Sequence, residues 1–102
     1  MRITRTTLPG VLLIEPRVFE DTRGWFLESF NARQFEAAVG VNVQFVQDNL
    51  SHSKRHVLRG LHYQTPQSQG KLVQVISGEI FDIAVDLRSS SSTFGQWVGH
   101  RL

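Results

Sequence analysis

The chain has 102 residues, of which 40% are hydrophobic and 20% charged, and a net charge of +2. That suffices for a single domain, 1–102, with little stability in reserve. Cysteine is absent, which excludes disulfides, thiolate nucleophiles and zinc–thiolate centres and is compatible with a reducing compartment.

The first residues, MRITRTTLPG, lack the apolar core of a secretory signal, and no apolar run reaches membrane-spanning length. These features point to a cytoplasmic location and no membrane partner. LPGVLLIEP (8–16) has a Pro-Gly turn, an apolar run and a closing Pro16, and reads as a short strand. Asp21-Thr22-Arg23-Gly24 is a loop signal before an aromatic strand, Trp25 to Phe30. Asn31 is a suitable N-cap for the helix ARQFEAAV, and Gly40 stands just past its end. Val41 to Asn49 and His56 to Gln64 each read as a strand.

KLVQVISGEIFDIAVDLR carries the strongest strand signal, with Ser77-Gly78 as the turn of a hairpin. In its second arm Phe81, Ile83, Val85 and Leu87 form an apolar face. Ile80, Asp82, Ala84 and Asp86 form a mixed one. SSSSTFG (89–95) is a polar loop, and QWVGHRL begins another strand. Short strands, frequent turns and one helix indicate an all-β sandwich or barrel. The sequence stops inside an apparent strand, so the chain is expected to be part of a longer sheet.

VLRGLHYQ (57–64) places a guanidinium, Arg59, and an imidazole, His62, three residues apart, which puts them on opposite faces of a regular strand. A bulge at Gly60 would bring them to one side. The alternative is a core histidine beside a solvated arginine. An imidazole titrates near neutrality and suits a general base. Metal ligation needs further ligands, and His62-Tyr63-Gln64 forms no His-X-His pair. Lys71 either stabilises a developing enolate oxygen or guards a sheet edge. Gln47 and Asn49 either read a base or sugar or form turns. Arg23, Phe26 and Glu28 suit a nucleotide, phosphate to Arg and base on the ring, or else a core Phe with a surface ion pair. Nine of the eleven basic residues are Arg, but they are scattered, which argues against nucleic acid.

PRVFEDTRGWFLESF, FVQDNLSHSKRHVLRGLHYQ, KLVQVISGEIFDIAVDLR and STFGQWVG together resemble the dTDP-4-dehydrorhamnose 3,5-epimerases of the cupin superfamily. The resemblance runs from about residue 8 to the end. It implies a partial cupin-type jelly-roll β-sandwich, a homodimer with an exchanged N-terminal segment, and neither metal nor organic cofactor. It implies epimerisation of a dTDP-4-keto-6-deoxy sugar at C3 and C5 in dTDP-L-rhamnose synthesis. His62 is then the base, and Lys71 steadies the enolate oxygen. Arg59 binds the diphosphate, and Arg23, Phe26, Glu28, Gln47 and Asn49 bind the nucleotide sugar. The family's acid, a tyrosine, and the carboxylate that orients its histidine fall beyond Leu102, so the chain corresponds to the N-terminal half. Two other functions stay open: a non-catalytic dTDP-sugar or strand-pairing module, and an epimerase acting at one carbon.

Overall fold

A computed structural model describes all residues 1–102. It consists of six short strands and one helix. The chain divides into two compact units, Met1–Val43 with Val75–Leu102, and Gln44–Gln74.

The first unit holds all the regular structure, in three antiparallel two-stranded sheets. Strand β1 (Arg2–Arg5) pairs with β2 (Leu12–Glu15) in the register Arg2↔Glu15 to Arg5↔Leu12. Their connection is tied by the Thr6 hydroxyl, which donates to Val11 O at 3.0 Å, and by Thr6 N–H to Val11 O at 3.2 Å. Leu8 lies inside this turn and is the one buried apolar side chain. The expected strand over 8–16 is thus shorter: its first residues form the turn, and only Leu12–Glu15 find a partner.

Strands β3 (Val18–Asp21) and β4 (Gly24–Leu27) form a hairpin with Asp21 opposite Gly24. Thr22 and Arg23 make its two-residue loop. Gly24 has φ +132°, a conformation that L side chains rarely adopt. The aromatic strand expected to reach Phe30 ends at Leu27, because its partner begins only at Val18.

Helix α1 (Ala32–Val39) follows its sequence signals closely. Asn31 Oδ1 accepts from Gln34 N–H at 3.1 Å, and Gly40 takes a left-handed conformation while its N–H bonds Glu36 O at 2.8 Å. Phe30 and Phe35 flank the cap with ring centroids 5.7 Å apart. This is the hydrophobic staple that fixes how the chain enters a helix.

Strand β5 (Phe81–Val85) pairs with β6 (Trp97–Arg101), from Phe81↔Arg101 to Val85↔Trp97. Paired bonds between Ile80 and Leu102, both 3.0 Å, extend the ladder at one end. At the other end Asp86 N–H bonds Gln96 O and Gly95 N–H bonds Asp86 O. The serine-rich loop is folded over the Asp86 carboxylate. Arg88 Nε and Nη2 each donate to it at 3.0 Å, and the Ser91 and Thr93 hydroxyls each donate at 2.6 Å. These contacts, led by Arg88, hold the Asp86 carboxyl well below the usual carboxylate range. Arg88 Nη2 also donates to Pro9 O at 2.9 Å, tying this loop to the β1–β2 turn.

One expectation about this region is corrected. The hairpin across Ser77-Gly78 does not form: residues 71–76 are in no ladder, and β5 takes β6 as its partner. The alternation read from the sequence holds, and cover falls mainly on the mixed face. Phe81, Ile83 and Leu87 are exposed and Val85 is half-buried, whereas the mixed face carries buried Asp86, the half-buried Asp82, Ala84 and His100, and exposed Ile80. Alternation determines which side chains share a face, but only a second layer determines which face is covered. The Nε2 atom of His100, opposite Asp82, is buried with no hydrogen-bond partner.

In the second unit, 44–74, there is no helix or strand, and every residue is exposed. The strands expected over 41–49 and 56–64 are therefore absent. The composition favours extended chain, but a ladder requires a neighbour within hydrogen-bonding reach, and none pairs with these segments. No helix is long and apolar enough to cross a membrane.

Candidate functional site

The candidate residues fall in two groups, one in each unit. Arg59, His62, Lys71, Gln47 and Asn49 lie in 44–74, while Arg23, Phe26 and Glu28 lie on or beside the β3–β4 hairpin.

In 44–74 the backbone turns after Ser53, with Val57 N–H directed to Lys54 O at 3.4 Å. The turn returns Arg59 toward the residues before it. Arg59 Nε donates to Ser53 Oγ at 3.0 Å and Nη2 donates to His52 O at 3.2 Å. Gly60 follows with φ +102°. A Cβ there would lie 3.4 Å from His62 N and 3.7 Å from His62 Nδ1, so the imidazole sits close against the bare glycine. The bulge expected at Gly60 is not present, because no ladder runs through 56–64. The glycine instead supplies a positive φ and room for the His62 ring.

The His62 imidazole and the Lys71 ammonium are exposed, and neither has a hydrogen-bond or ion-pair partner in the chain. An unpaired ammonium is free to meet a developing oxyanion. Gln47 Nε2 donates to Asn49 Oδ1 at 3.3 Å, which leaves the Gln47 oxygen and the Asn49 amide for other partners. No group of three or more His, Asp and Glu side chains converges as metal ligands would.

On the hairpin, Arg23 is engaged with Asp21, Nη2 to Oδ2 at 2.6 Å, and Arg23 N–H bonds Asp21 Oδ1 at 2.8 Å. The guanidinium's hydrogen bonds hold the Asp21 carboxyl below its ordinary value, and the carboxylate raises Arg23 in return. Phe26 stands opposite Phe19 in the ladder and is exposed. Arg17 lies over the Phe19 ring, 4.6 Å from its centroid. Arg23, Asp21, Phe19 and Phe26 border an open cleft of about 470 Å³. Phe26 lies within β4, whereas Glu28 lies past its end.

Sequence reasoning missed Asp21 and Ser53, the partners of the two arginines. The Asp21 contact was legible, since Asp two residues before Arg in a tight turn commonly bonds the turn backbone. The Ser53 contact depends on a turn at 54–57 that carries no glycine or proline.

Short strands with a single short helix are the N-terminal part of a cupin-like fold, and solved sugar-nucleotide epimerases share it. The dTDP-6-deoxy-D-glucose-3,5-epimerase of Legionella pneumophila, solved in complex with dTDP-4-keto-L-rhamnose, superposes with TM-score 0.94 at 53% identity. That match covers 99% of this chain and 54% of the Legionella chain. The chain belongs to the dTDP-4-dehydrorhamnose 3,5-epimerase family, which it matches over residues 5–102. The Pseudomonas aeruginosa dTDP-4-dehydrorhamnose 3,5-epimerase is 64% identical over 102 residues, which is 100% of this chain and 56% of that protein. The Bacillus anthracis enzyme, solved with TDP and PPi bound, has TM-score 0.90 and 45% identity over 99% of this chain and 58% of its own. The chain thus spans little more than half the length of these relatives.

Proposed function

We propose that these 102 residues are the N-terminal portion of one cupin-type domain that epimerises dTDP-4-dehydro-6-deoxy-D-glucose at C3 and C5. The product is dTDP-4-dehydro-L-rhamnose, in dTDP-L-rhamnose biosynthesis. The observation that carries this reading is the family match over 5–102, which includes His62 and Lys71. The ligands named for the Legionella and Bacillus structures, a dTDP-keto-sugar and TDP with PPi, support the substrate class.

The residues suit the chemistry. Hydrogens on C3 and C5 flank a ketone at C4, and each can leave as a proton if the enolate oxygen is stabilised. His62 takes the proton and its imidazole becomes cationic. Lys71 donates to the oxygen on C4 as charge develops there. Arg59 binds the diphosphate, and Arg23, Phe26, Glu28, Gln47 and Asn49 bind the nucleotide sugar. Inversion further requires an acid that returns the proton from the opposite face. Tyr63 adjoins the base in sequence and is not assigned that role. This reading calls for no metal or organic cofactor, since Lys71 takes the role of stabilising the enolate oxygen.

The assembly belonging to this reading is a homodimer with exchanged N-terminal segments, in the cytoplasm. The exposed Phe19, Trp25 and Phe26 of the β3–β4 hairpin support it, since a lone two-stranded hairpin with apolar side chains on both faces is marginal in water. Deuterium incorporation at C3 and C5 of the keto-sugar in heavy water tests the catalytic reading, and counting the carbons exchanged separates it from single-carbon epimerisation.

A further inference from the structure

We propose that Ser53 is a positioning residue for the diphosphate subsite and acts by fixing the edge that Arg59 presents to the ligand. The inference rests on the reading of Arg59 as the diphosphate contact and extends it to a residue with no assigned role.

A guanidinium has two edges able to make paired hydrogen bonds to an anion. The side edge consists of Nε–H and the nearer N–H of Nη2. The end edge consists of the outer N–H groups of Nη1 and Nη2. In this chain the side edge is already occupied, because Nε donates to Ser53 Oγ at 3.0 Å and Nη2 donates to His52 O at 3.2 Å. Nη1 has no partner. The end edge therefore remains for two phosphate oxygens, the geometry that gives short charge-assisted bonds.

Arg59 is exposed, and an unrestrained side chain of this length samples many rotamers, each of which must be given up on binding. The Ser53 hydroxyl removes part of that freedom before the ligand arrives. It lies six residues before Arg59 and is brought back by the turn at 54–57. A backbone carbonyl alone leaves Nε free to rotate toward solvent or toward the ligand side-on. The hydroxyl makes the orientation single. An anion then meets a preorganised fork, and Ser53 itself never touches the ligand.

The test is calorimetric titration of the full chain with dTDP and, separately, with thymidine, which shares the base and sugar but lacks phosphate. Ser53→Ala should weaken dTDP about fivefold to tenfold, the worth of one ordinary hydrogen bond, because Ser53 orients the fork without touching the ligand, and leave thymidine affinity unchanged. Ser53→Thr, which keeps the hydroxyl, should restore dTDP affinity. Arg59→Ala should weaken dTDP more than either. If Ser53→Ala weakens dTDP and thymidine equally, or leaves dTDP binding intact while Arg59→Ala abolishes it, the positioning role is overturned and the diphosphate reading stands. If Arg59→Ala leaves dTDP affinity unchanged, the diphosphate reading fails and the role of Ser53 fails with it.

Discussion

Asp86 and Arg88 meet in a two-pronged contact, Nε to Oδ1 and Nη2 to Oδ2, each 3.0 Å long. The Asp86 side chain is buried while the Arg88 side chain is largely exposed. The pair, with Ser91 and Thr93, converts a run of polar residues into a fixed closure of the β5–β6 ladder. It also reaches the turn around Leu8 through Pro9 O, so one carboxylate organises two of the three sheets.

The Asp86 carboxyl is depressed below its ordinary value of 3.8 in the folded chain. Its stabilising contribution is therefore complete at pH above that value and is lost progressively as pH falls below it, toward the much lower folded pKa. Thermal melts from pH 7 to pH 2 should show Tm falling on the acid side. In Asp86→Asn, Tm should be lower at neutral pH and the acid-side fall should be shallower. An acid limb identical to that of the wild-type chain would remove Asp86 as its cause.

Gly99 lies beneath the Phe81 ring, diagonally across the ladder, and a Cβ at this position would overlap Phe81 Cζ. Gly99→Ala should cost about 0.5–1.5 kcal/mol, because Phe81 is exposed and its ring can move aside at the cost of a less favourable rotamer. In the double variant with Phe81→Ala the two effects should not add, because the clash disappears with the ring. Denaturant titration of the four proteins measures the coupling.

Asn31→Ala removes the acceptor for Gln34 N–H and should cost about 1 kcal/mol. Gly40→Ala should cost about 1–2 kcal/mol, since φ is +81° there. Loss of ellipticity at lower denaturant in both variants, with unchanged slope, is the expected outcome.

The helix and its caps were legible in the sequence because their signals are local: Asn31, Gly40 and the bonds they make lie within one turn of each other. The loop at 21–24 was legible for the same reason. Pairing was not. Period-two alternation located β5 but could not show that its partner is β6 rather than 71–76, since ladder partners are chosen by the whole chain. Strand β1 was missed altogether, because RITR has no alternation long enough to read. Arg59 and His62 stood out by chemistry, and Gly60 stood out as a backbone exception. Its role is a positive φ beside the His62 ring rather than a bulge, a distinction that only the absence of a ladder reveals.

Phe81, Ile83 and Trp97 share one face of the β5–β6 hairpin and are exposed together. Contiguous apolar surface of this kind drives association. Sedimentation velocity at micromolar concentration should show species heavier than the 11.6 kDa chain, and Ile83→Lys should shift the distribution toward monomer. A monodisperse wild-type monomer that unfolds cooperatively would contradict this.

The proposed function makes His62 the base for a dTDP-4-keto sugar. Its most direct test is proton NMR of dTDP-4-dehydro-6-deoxy-D-glucose in heavy water with the folded chain and with its His62→Asn variant. The expected result is loss of the C3 and C5 signals with the wild-type chain and their persistence with the variant. Equal exchange by both proteins would contradict the assignment of the base. Persistence of both signals with the folded wild-type chain would contradict catalysis by these 102 residues alone and assign the reaction to a longer parent chain.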